Sequence, residues 1–241
     1  MLFTNFTKNY IMKFGVITFP GSNCDHDMIY VLESIMGFQV ERLWHKDETL
    51  KGADFIVLPG GFSYGDYLRS GAIANYSPIM KSVLKHAQDG GFVFGVCNGF
   101  QILCESNLLP GTLLHNQNQK FICKNIFIKA DNNASIVNQD LAIESPLKIP
   151  IAHAEGRYFA TEDMLTEMNQ NQQIIFRYCD ENGKTSIASN PNGSLENIAG
   201  VCNRTKNVFG MMPHPERAAD EDLGNTDGLK IFRSILQTVK S

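Results

Sequence analysis

Two groups of residues stand out for their chemistry. One is a cysteine set between glycines, Gly95-Val96-Cys97-Asn98-Gly99; the other is a histidine two residues from a glutamate, His214-Pro215-Glu216. The apolar run Phe92-Val93-Phe94 precedes the cysteine, and an apolar, helix-compatible segment from Phe100 to Leu108 follows it. A Gly-x-nucleophile-x-Gly turn between strand and helix is a nucleophile elbow, here with cysteine where many hydrolases carry serine. The chain turns so sharply that side chains two residues either side of the nucleophile would collide. The turn also sets the sulfur at a helix N-terminus, where aligned peptide dipoles favour negative charge. Cys97 alone could be a packed thiol beside a tight turn, since free cysteine behaves as a small hydrophobe. The paired glycines and the strand-to-helix context favour the elbow.

A cysteine nucleophile needs a base, and the base needs an orienting group. Met212-Pro213-His214-Pro215-Glu216-Arg217 supplies both. Residues before proline are pushed toward extended conformations, and in an extended segment side chains at i and i+2 point the same way. The Glu216 carboxylate is then expected beside the His214 ring, able to fix its tautomer. An isolated His-Pro-Glu reads better as a surface loop; paired with the elbow, it reads as catalytic. The order cysteine, histidine, acid differs from the nucleophile–acid–histidine order of α/β-hydrolases. An acyl-transfer site further needs N–H donors for its oxyanion. Asn98 N–H, at the helix start, is one candidate. Gly60-Gly61, a simple turn if taken alone, can point a second N–H inward at little steric cost. Two polar-aromatic clusters remain, Phe62-Ser63-Tyr64-Gly65-Asp66-Tyr67-Leu68-Arg69 and His153-Ala154-Glu155-Gly156-Arg157-Tyr158. Solvated loop and partner surface are evenly balanced readings of each.

The elements that must position these groups alternate in type. Lys13 to Phe19 reads as a strand closed by the turn signal Pro20-Gly21-Ser22-Asn23. Asp25 to Met36 reads as a helix stopped by Gly37, and Phe38 to Trp44 and Ala53 to Leu58 as strands. Ile79 to Gln88 reads as a helix before the strand that leads to Cys97. Such alternation implies βαβ units and a parallel sheet with functional loops at the carboxyl ends of its strands. That rule puts Phe19-Pro20-Gly21, Pro59-Gly60-Gly61 and Cys97 on one rim. After Pro110 strand-like segments dominate, at 121–129, 149–154, 173–178, 198–202 and 208–211. Thr161 to Asn169 is a helix with Thr161 as N-cap, and Thr226 to Val239 closes the chain as an amphipathic helix. The expected fold is α/β, a mainly parallel open sheet with helices on both faces and a small antiparallel extension, all in one domain over residues 12–241. Residues 1–11 read as a leader or an upstream start, without the features of a signal or transit peptide.

Composition narrows the function classes. A chain of 241 residues with a net charge of -4 and no basic run gives no electrostatic case for nucleic acid. No apolar stretch approaches the roughly 18 residues of a membrane helix. Six cysteines without a Cys-x-x-Cys pair make neither a zinc pattern nor a disulfide framework, so a reducing cytoplasm is the expected setting. Gly183-Lys184-Thr185 ends like a phosphate-binding loop but lacks its first glycine, and no dinucleotide fingerprint or zinc-protease motif occurs. His26, His45, His86 and His115 are scattered. No metal or ATP site is expected in this chain.

Pro59-Gly60-Gly61, the elbow through Gln101, and Pro213-His214-Pro215-Glu216 resemble, in order, the three motifs of the class I, triad-type glutamine amidotransferases. Within that family the long tyrosine loop, the Cys97-Asn98-Gly99-Phe100-Gln101 elbow and the cluster from His153 to Tyr158 are similar to separate glutaminase subunits that serve an ATP-dependent synthetase. The likeness covers Met12 to the C-terminus. It implies a flavodoxin-like α/β fold and hydrolysis of glutamine through a Cys97 thioester, with His214 as acid and base and Glu216 orienting it. It further implies an oxyanion hole from Gly61 and Asn98, glutamine held near Gln101 and Gly60, and Tyr64, Arg69, Glu155 and Arg157 at a partner interface or gate. No cofactor would bind this chain: ATP and Mg2+ would sit on a large synthetase subunit, accompanied by a small third subunit. The ammonia would turn formylglycinamide ribonucleotide into the amidine in purine biosynthesis. Two rivals keep the geometry but change the role. One is a peptidase or other hydrolase with a cysteine elbow; the other is a non-catalytic binding domain on the same fold, for which Cys97 would be dispensable.

Overall fold

The computed structural model describes residues 12–143 and 145–240, so the leader expected over residues 1–11 lies outside the described residues. In chain order the elements are β1 (Lys13–Thr18), α1 (Asp25–Tyr30, prolonged by a π-helical turn over Val31–Ile35), β2 (Gln39–Trp44), β3 (Phe55–Leu58), α2 (Pro78–Gln88), β4 (Phe92–Val96), α3 (Asn98–Glu105), β5 (Thr112–Leu114), β6 (Ile122–Ala130), β7 (Leu147–His153), β8 (Arg157–Phe159), α4 (Glu162–Gln170), β9 (Ile174–Cys179), β10 (Ile198–Cys202), β11 (Val208–Met211) and α5 (Asp227–Lys240).

Among the described residues the main sheet runs β2-β1-β3-β4-β11-β10-β9-β6-β7. The strands from β2 to β11 pair in parallel, and those from β11 to β7 pair antiparallel. The extension expected to be small is thus four strands long. Burial patterns explain the division. β3, β10 and β11 are buried at every position, as strands covered on both faces must be, whereas β7 alternates and ends the sheet. β5 and β8 form a separate antiparallel pair. At three residues each they are too short to show a periodicity, and the sequence marks Arg157 and Tyr158 only as part of a polar-aromatic cluster.

Phe14, Phe55, Phe92 and Phe209 stack across β1, β3, β4 and β11, with successive ring centroids 4.9, 5.8 and 6.3 Å apart. Such cross-strand aromatic contacts fix register as well as burying area. Thr161 caps α4 by accepting from Met164 N–H, with Glu162 and Asp163 in the first turn, as its sequence predicts. α1 packs on β1, α2 on β4, and α3 on β3, β4 and β11, while α5 lies on β7 and the turn after β11. α3 begins in direct backbone contact with the sheet: a methyl at Gly99 would sit 1.8 Å from the Leu58 carbonyl oxygen, and one at Gly95 2.6 Å from the Gly99 carbonyl. The glycines of the elbow are therefore required by the approach of helix to sheet. The ends of β1, β3, β4 and β11 meet on one rim, where the loop after β1 bridges to the loop after β3 through Ser22 and Gly61. No helix among the described residues is long and apolar enough to cross a membrane.

Candidate active site

Cys97 stands alone between β4 and α3, at φ 51° and ψ -106°. This is a backbone conformation that residues with a side chain rarely hold, and one that persists only when the surroundings over-determine it. Here they do. Cys97 N–H donates to Met211 O (2.8 Å), Gln101 N–H donates to Cys97 O (3.1 Å), and Gly95 and Gly99 admit the helix. The sulfur lies 3.7 Å from Ala152 O on β7.

His214 follows β11, anchored by its own N–H to Pro150 O at 2.8 Å. Its Nδ1 lies 2.6 Å from Glu216 Oε1, and both side chains are almost fully buried. The pairing expected of this motif is present, but by a different backbone. Pro215–Ala218 is a 3-10 turn, closed by Arg217 N–H to His214 O (3.2 Å), not an extended segment. Proline at the first position of a helical turn gives up an N–H that would go unused and pre-sets φ, so His-Pro starts the turn instead of extending the strand. His214 itself stays non-helical at φ -99° and ψ 89°, as a residue before proline should.

Burial opposes charging of His214. The Glu216 carboxylate and the Cys97 sulfur outweigh it and lift the imidazole pKa well above 6.5. Its Nε2 makes no hydrogen bond of normal geometry, although the Cys97 and Cys24 thiols both face the ring closely enough to favour its protonated form. Gly60 makes room for this meeting. A methyl there would lie 2.7 Å from His214 Cε1, 3.0 Å from Cys24 Sγ and 3.4 Å from Cys97 Cβ. Gly61, at φ +142°, adopts a conformation open essentially only to glycine. Neither its N–H nor that of Asn98 enters a hydrogen bond among the described residues. Cys97, His214 and Gly61 open onto a cavity of ≈ 220 Å³, whose walls include Cys24, Phe62, Phe121, Cys123 and Arg217. A larger cavity of ≈ 570 Å³ lies beyond the other end of α3, between Leu108, Pro110, Phe159 and Met164. Cys97, His214 and Glu216 do not line it, whereas Cys97 and His214 line the smaller one.

The sequence profile of the CobB/CobQ-like glutamine amidotransferase domain matches residues 12–228. This chain belongs to the glutamine amidotransferases. Its relatives include proteins named phosphoribosylformylglycinamidine synthase subunit PurQ. That of Moorella thermoacetica is 52% identical over 93% of this chain and 95% of its own; that of a Nostoc species is 50% identical over 95% and 98%. A chain in the structure of PurLQS from Thermotoga maritima is 42% identical, with a TM-score of 0.84 over 95% of this chain and 100% of that one.

In this amidotransferase the residues expected to hold glutamine or face a partner are mostly turned inward. Gln101 is buried with its amide used at both ends: Oε1 accepts from Asn98 Nδ2 (2.9 Å) and Nε2 donates to Glu155 O (2.6 Å). It is not among the side chains lining the cavity. Tyr64 is half-buried, its hydroxyl bonded to His45 Nδ1 (2.6 Å) and Ser77 Oγ (2.9 Å). Arg69 pairs with Glu105 and donates to Thr112 Oγ1. Glu155 accepts from Ser70 N–H (3.3 Å) and meets His115 Nε2 (3.1 Å). Arg157 is half-buried on β8, with its Nε unpartnered. The cluster from His153 to Tyr158 is neither a solvated loop nor a wholly exposed surface. His153 and Tyr158 are buried; burial and then the nearby His214 hold the His153 pKa down to about 3. Asp66 is shifted the other way, to about 6, because burial and the neighbouring Glu155 charge outweigh its hydrogen bond from Ser70.

Sequence reasoning does not find Cys24 or Arg217. Cys24 closes the turn after β1 and bonds to Arg217 Nη2 at 3.1 Å, and Arg217 also pairs with Asp27. Cys24, His214 and Glu216 each offer a ligand atom within 4.8 Å of the others. The residues that meet here are far apart in the chain or lie beside a proline turn, and no local motif announces them.

Proposed function

We propose that this chain is the glutaminase component of phosphoribosylformylglycinamidine synthase. It hydrolyses glutamine to glutamate and ammonia and hands the ammonia to an ATP-dependent synthetase subunit. The observation that carries the reading is the meeting of Cys97 and the buried His214–Glu216 pair at one small cavity that Gly61 also lines, with the N–H groups of Gly61 and Asn98 left unused among the described residues. It occurs on a chain half identical, over nearly its whole length, to proteins of that name.

The chemistry follows from the geometry. Cys97 Sγ attacks the side-chain carboxamide carbon of glutamine, and the oxygen takes up negative charge against the Gly61 and Asn98 N–H groups. The protonated His214 Nε2 gives its proton to the leaving nitrogen, and ammonia departs to leave a thioester on Cys97. His214 then takes a proton from water, which attacks the thioester and releases glutamate. Glu216 holds the ring by Nδ1 throughout and stabilises the imidazolium, as an acid behind a catalytic histidine does. Gly60 keeps the space behind the reacting atoms free, and Gln101 braces the elbow from within. The close likeness to a chain of the Thermotoga maritima PurLQS structure supports a complex in which a large subunit carries ATP and Mg2+ and a small third subunit completes the assembly. That complex makes formylglycinamidine ribonucleotide from formylglycinamide ribonucleotide.

The test is Cys97→Ala in the reconstituted complex. Glutamine-dependent synthesis should vanish while synthesis from added ammonia persists. Loss of both activities, or survival of both, would reject the role of Cys97.

A further inference from the structure

Asn98 carries one of the two proposed oxyanion donors, and among the described residues that N–H itself makes no hydrogen bond. The peptide that bears this N–H follows Cys97, whose positive φ is strained for a residue with a side chain. That peptide is held at its carbonyl end, where Cys97 O accepts from Gln101 N–H (3.1 Å), and the Asn98 side chain adds a second hold from the other side. That side chain is buried and every polar atom of it is engaged: Oδ1 accepts from Ser63 N–H (3.1 Å), and Nδ2 donates to Gln101 Oε1 (2.9 Å) and Asp66 Oδ1 (3.4 Å). Gln101 passes the tie on to Glu155 O (2.6 Å), and the Glu155 carboxylate returns to the same loop by accepting from Ser70 N–H (3.3 Å). The loop from Ser63 to Ser70 thus grips Asn98 directly at one end and through Gln101 and Glu155 at the other.

We propose that Asp66 is a positioning residue for glutamine hydrolysis, holding the oxyanion-binding N–H of Asn98 in place through the Asn98 side chain, with Gln101 and Glu155 completing the clamp. The inference rests on the assignment of Asn98 N–H as an oxyanion donor. It separates two functions within one residue. The Asn98 backbone binds the transition state, and its side chain binds the loop.

Asn98→Ala, assayed in the chain reconstituted with its synthetase subunit, keeps every backbone N–H and removes the clamp. Since removing one oxyanion donor costs about 10²–10³ in turnover, loosening one should lower kcat for glutamine hydrolysis by about tenfold. KM should hardly move, because the lost interaction is made only in the transition state. The γ-aldehyde analogue of glutamine forms a tetrahedral adduct on the cysteine, so its affinity should fall by the same factor as kcat. Asp66→Ala should reproduce part of this loss. Asp66→Asn, which retains an acceptor oxygen, should restore it. The double variant Asn98→Ala/Asp66→Ala should be no worse than Asn98→Ala alone, as expected of residues acting through one contact. Full kcat in Asp66→Ala, additive losses in the double variant, or an altered KM at unchanged kcat overturns the proposal. If Asp66→Ala has no cooperative melting transition, Asp66→Ser takes its place, since its shorter side chain falls out of reach of Asn98. The outcome is separable from that of the broader reading: an active Cys97→Ala enzyme defeats the glutaminase assignment itself, whereas an inactive Cys97→Ala beside a fully active Asp66→Ala defeats only the clamp.

Discussion

His214 occupies a position where two opposing effects are both large. A buried imidazole resists protonation, yet the Glu216 carboxylate at 2.6 Å and the nearby Cys97 sulfur win, so the ring is held ready to carry a proton. The contrast with the remaining thiols is informative. Burial pushes Cys179 up to about 11 and Cys202 up to about 12, so they stay protonated and inert, as packed cysteines should. What distinguishes the site is empty space as much as charge. Gly60 has an ordinary negative φ, and alanine could adopt its backbone; the obstacle is the His214 ring 2.7 Å from the new methyl carbon. Gly60→Ala should therefore leave the fold nearly as stable while displacing the ring. Because misplacing a reacting group by about 1 Å can cost about 10²-fold, kcat should fall by roughly that factor with little change in melting temperature. Steady-state kinetics alongside a thermal melt checks this, and an undiminished kcat would count against the geometry.

Among the elements, the elbow was the most legible in sequence, because Gly95 and Gly99 are demanded by local backbone contact and so leave a local mark. The His-Pro-Glu turn was legible in its residues and misread in its backbone: the proline that stiffens a chain also starts a 3-10 turn, and only the surroundings decide between them. The loop from Phe62 to Arg69 was the hardest to read. Tyr64, Gly65, Asp66 and Leu68 all have positive φ, a conformation fixed by contacts distant in sequence, and so its tyrosine and arginine could not be sorted into inward and outward sets. The clamp residue Asp66 in this loop makes a pH prediction. Its folded pKa, about 6, lies above the ordinary 3.8, so the folded state holds a proton that the unfolded chain releases. The stability this adds is complete below the unfolded pKa and is lost as pH rises through about 6. The melting temperature of Asp66→Asn relative to the parent should therefore climb as pH rises from 3.8 to about 6 and level off above that. A difference that stays flat over that range would contradict the burial of this carboxyl.

At the scale of the molecule, the cavity mouth carries exposed apolar side chains. Phe62 and Phe121 approach to 6.3 Å at its edge. On the adjoining loop Tyr67 is 75% and Leu68 92% exposed, while Tyr64, equally plausible from sequence, is tied inward and Arg69, though exposed, is engaged by Glu105 and Thr112. For the proposed synthetase partner, Tyr67 and Leu68 are thus the better candidates as contacts. Replacing both with serine should weaken binding of the large subunit about tenfold or more, read by calorimetry; an unaltered dissociation constant would remove the loop tip from the interface. The parallel half of the sheet was foreseen from strand–helix alternation, whereas the extent of the antiparallel half was not: its strands were visible as apolar runs, but their pairing into one sheet is set by contacts distant in sequence. β11, which ends only at Met211, is inserted between β4 and β10 in the middle of the sheet. A nascent chain emerging N-terminus first can display Cys97 long before β11 exists to bring His214 to it. The thiol therefore cannot meet its proposed base until the chain has been made through His214, and under the proposed mechanism a shorter nascent chain would release no ammonia.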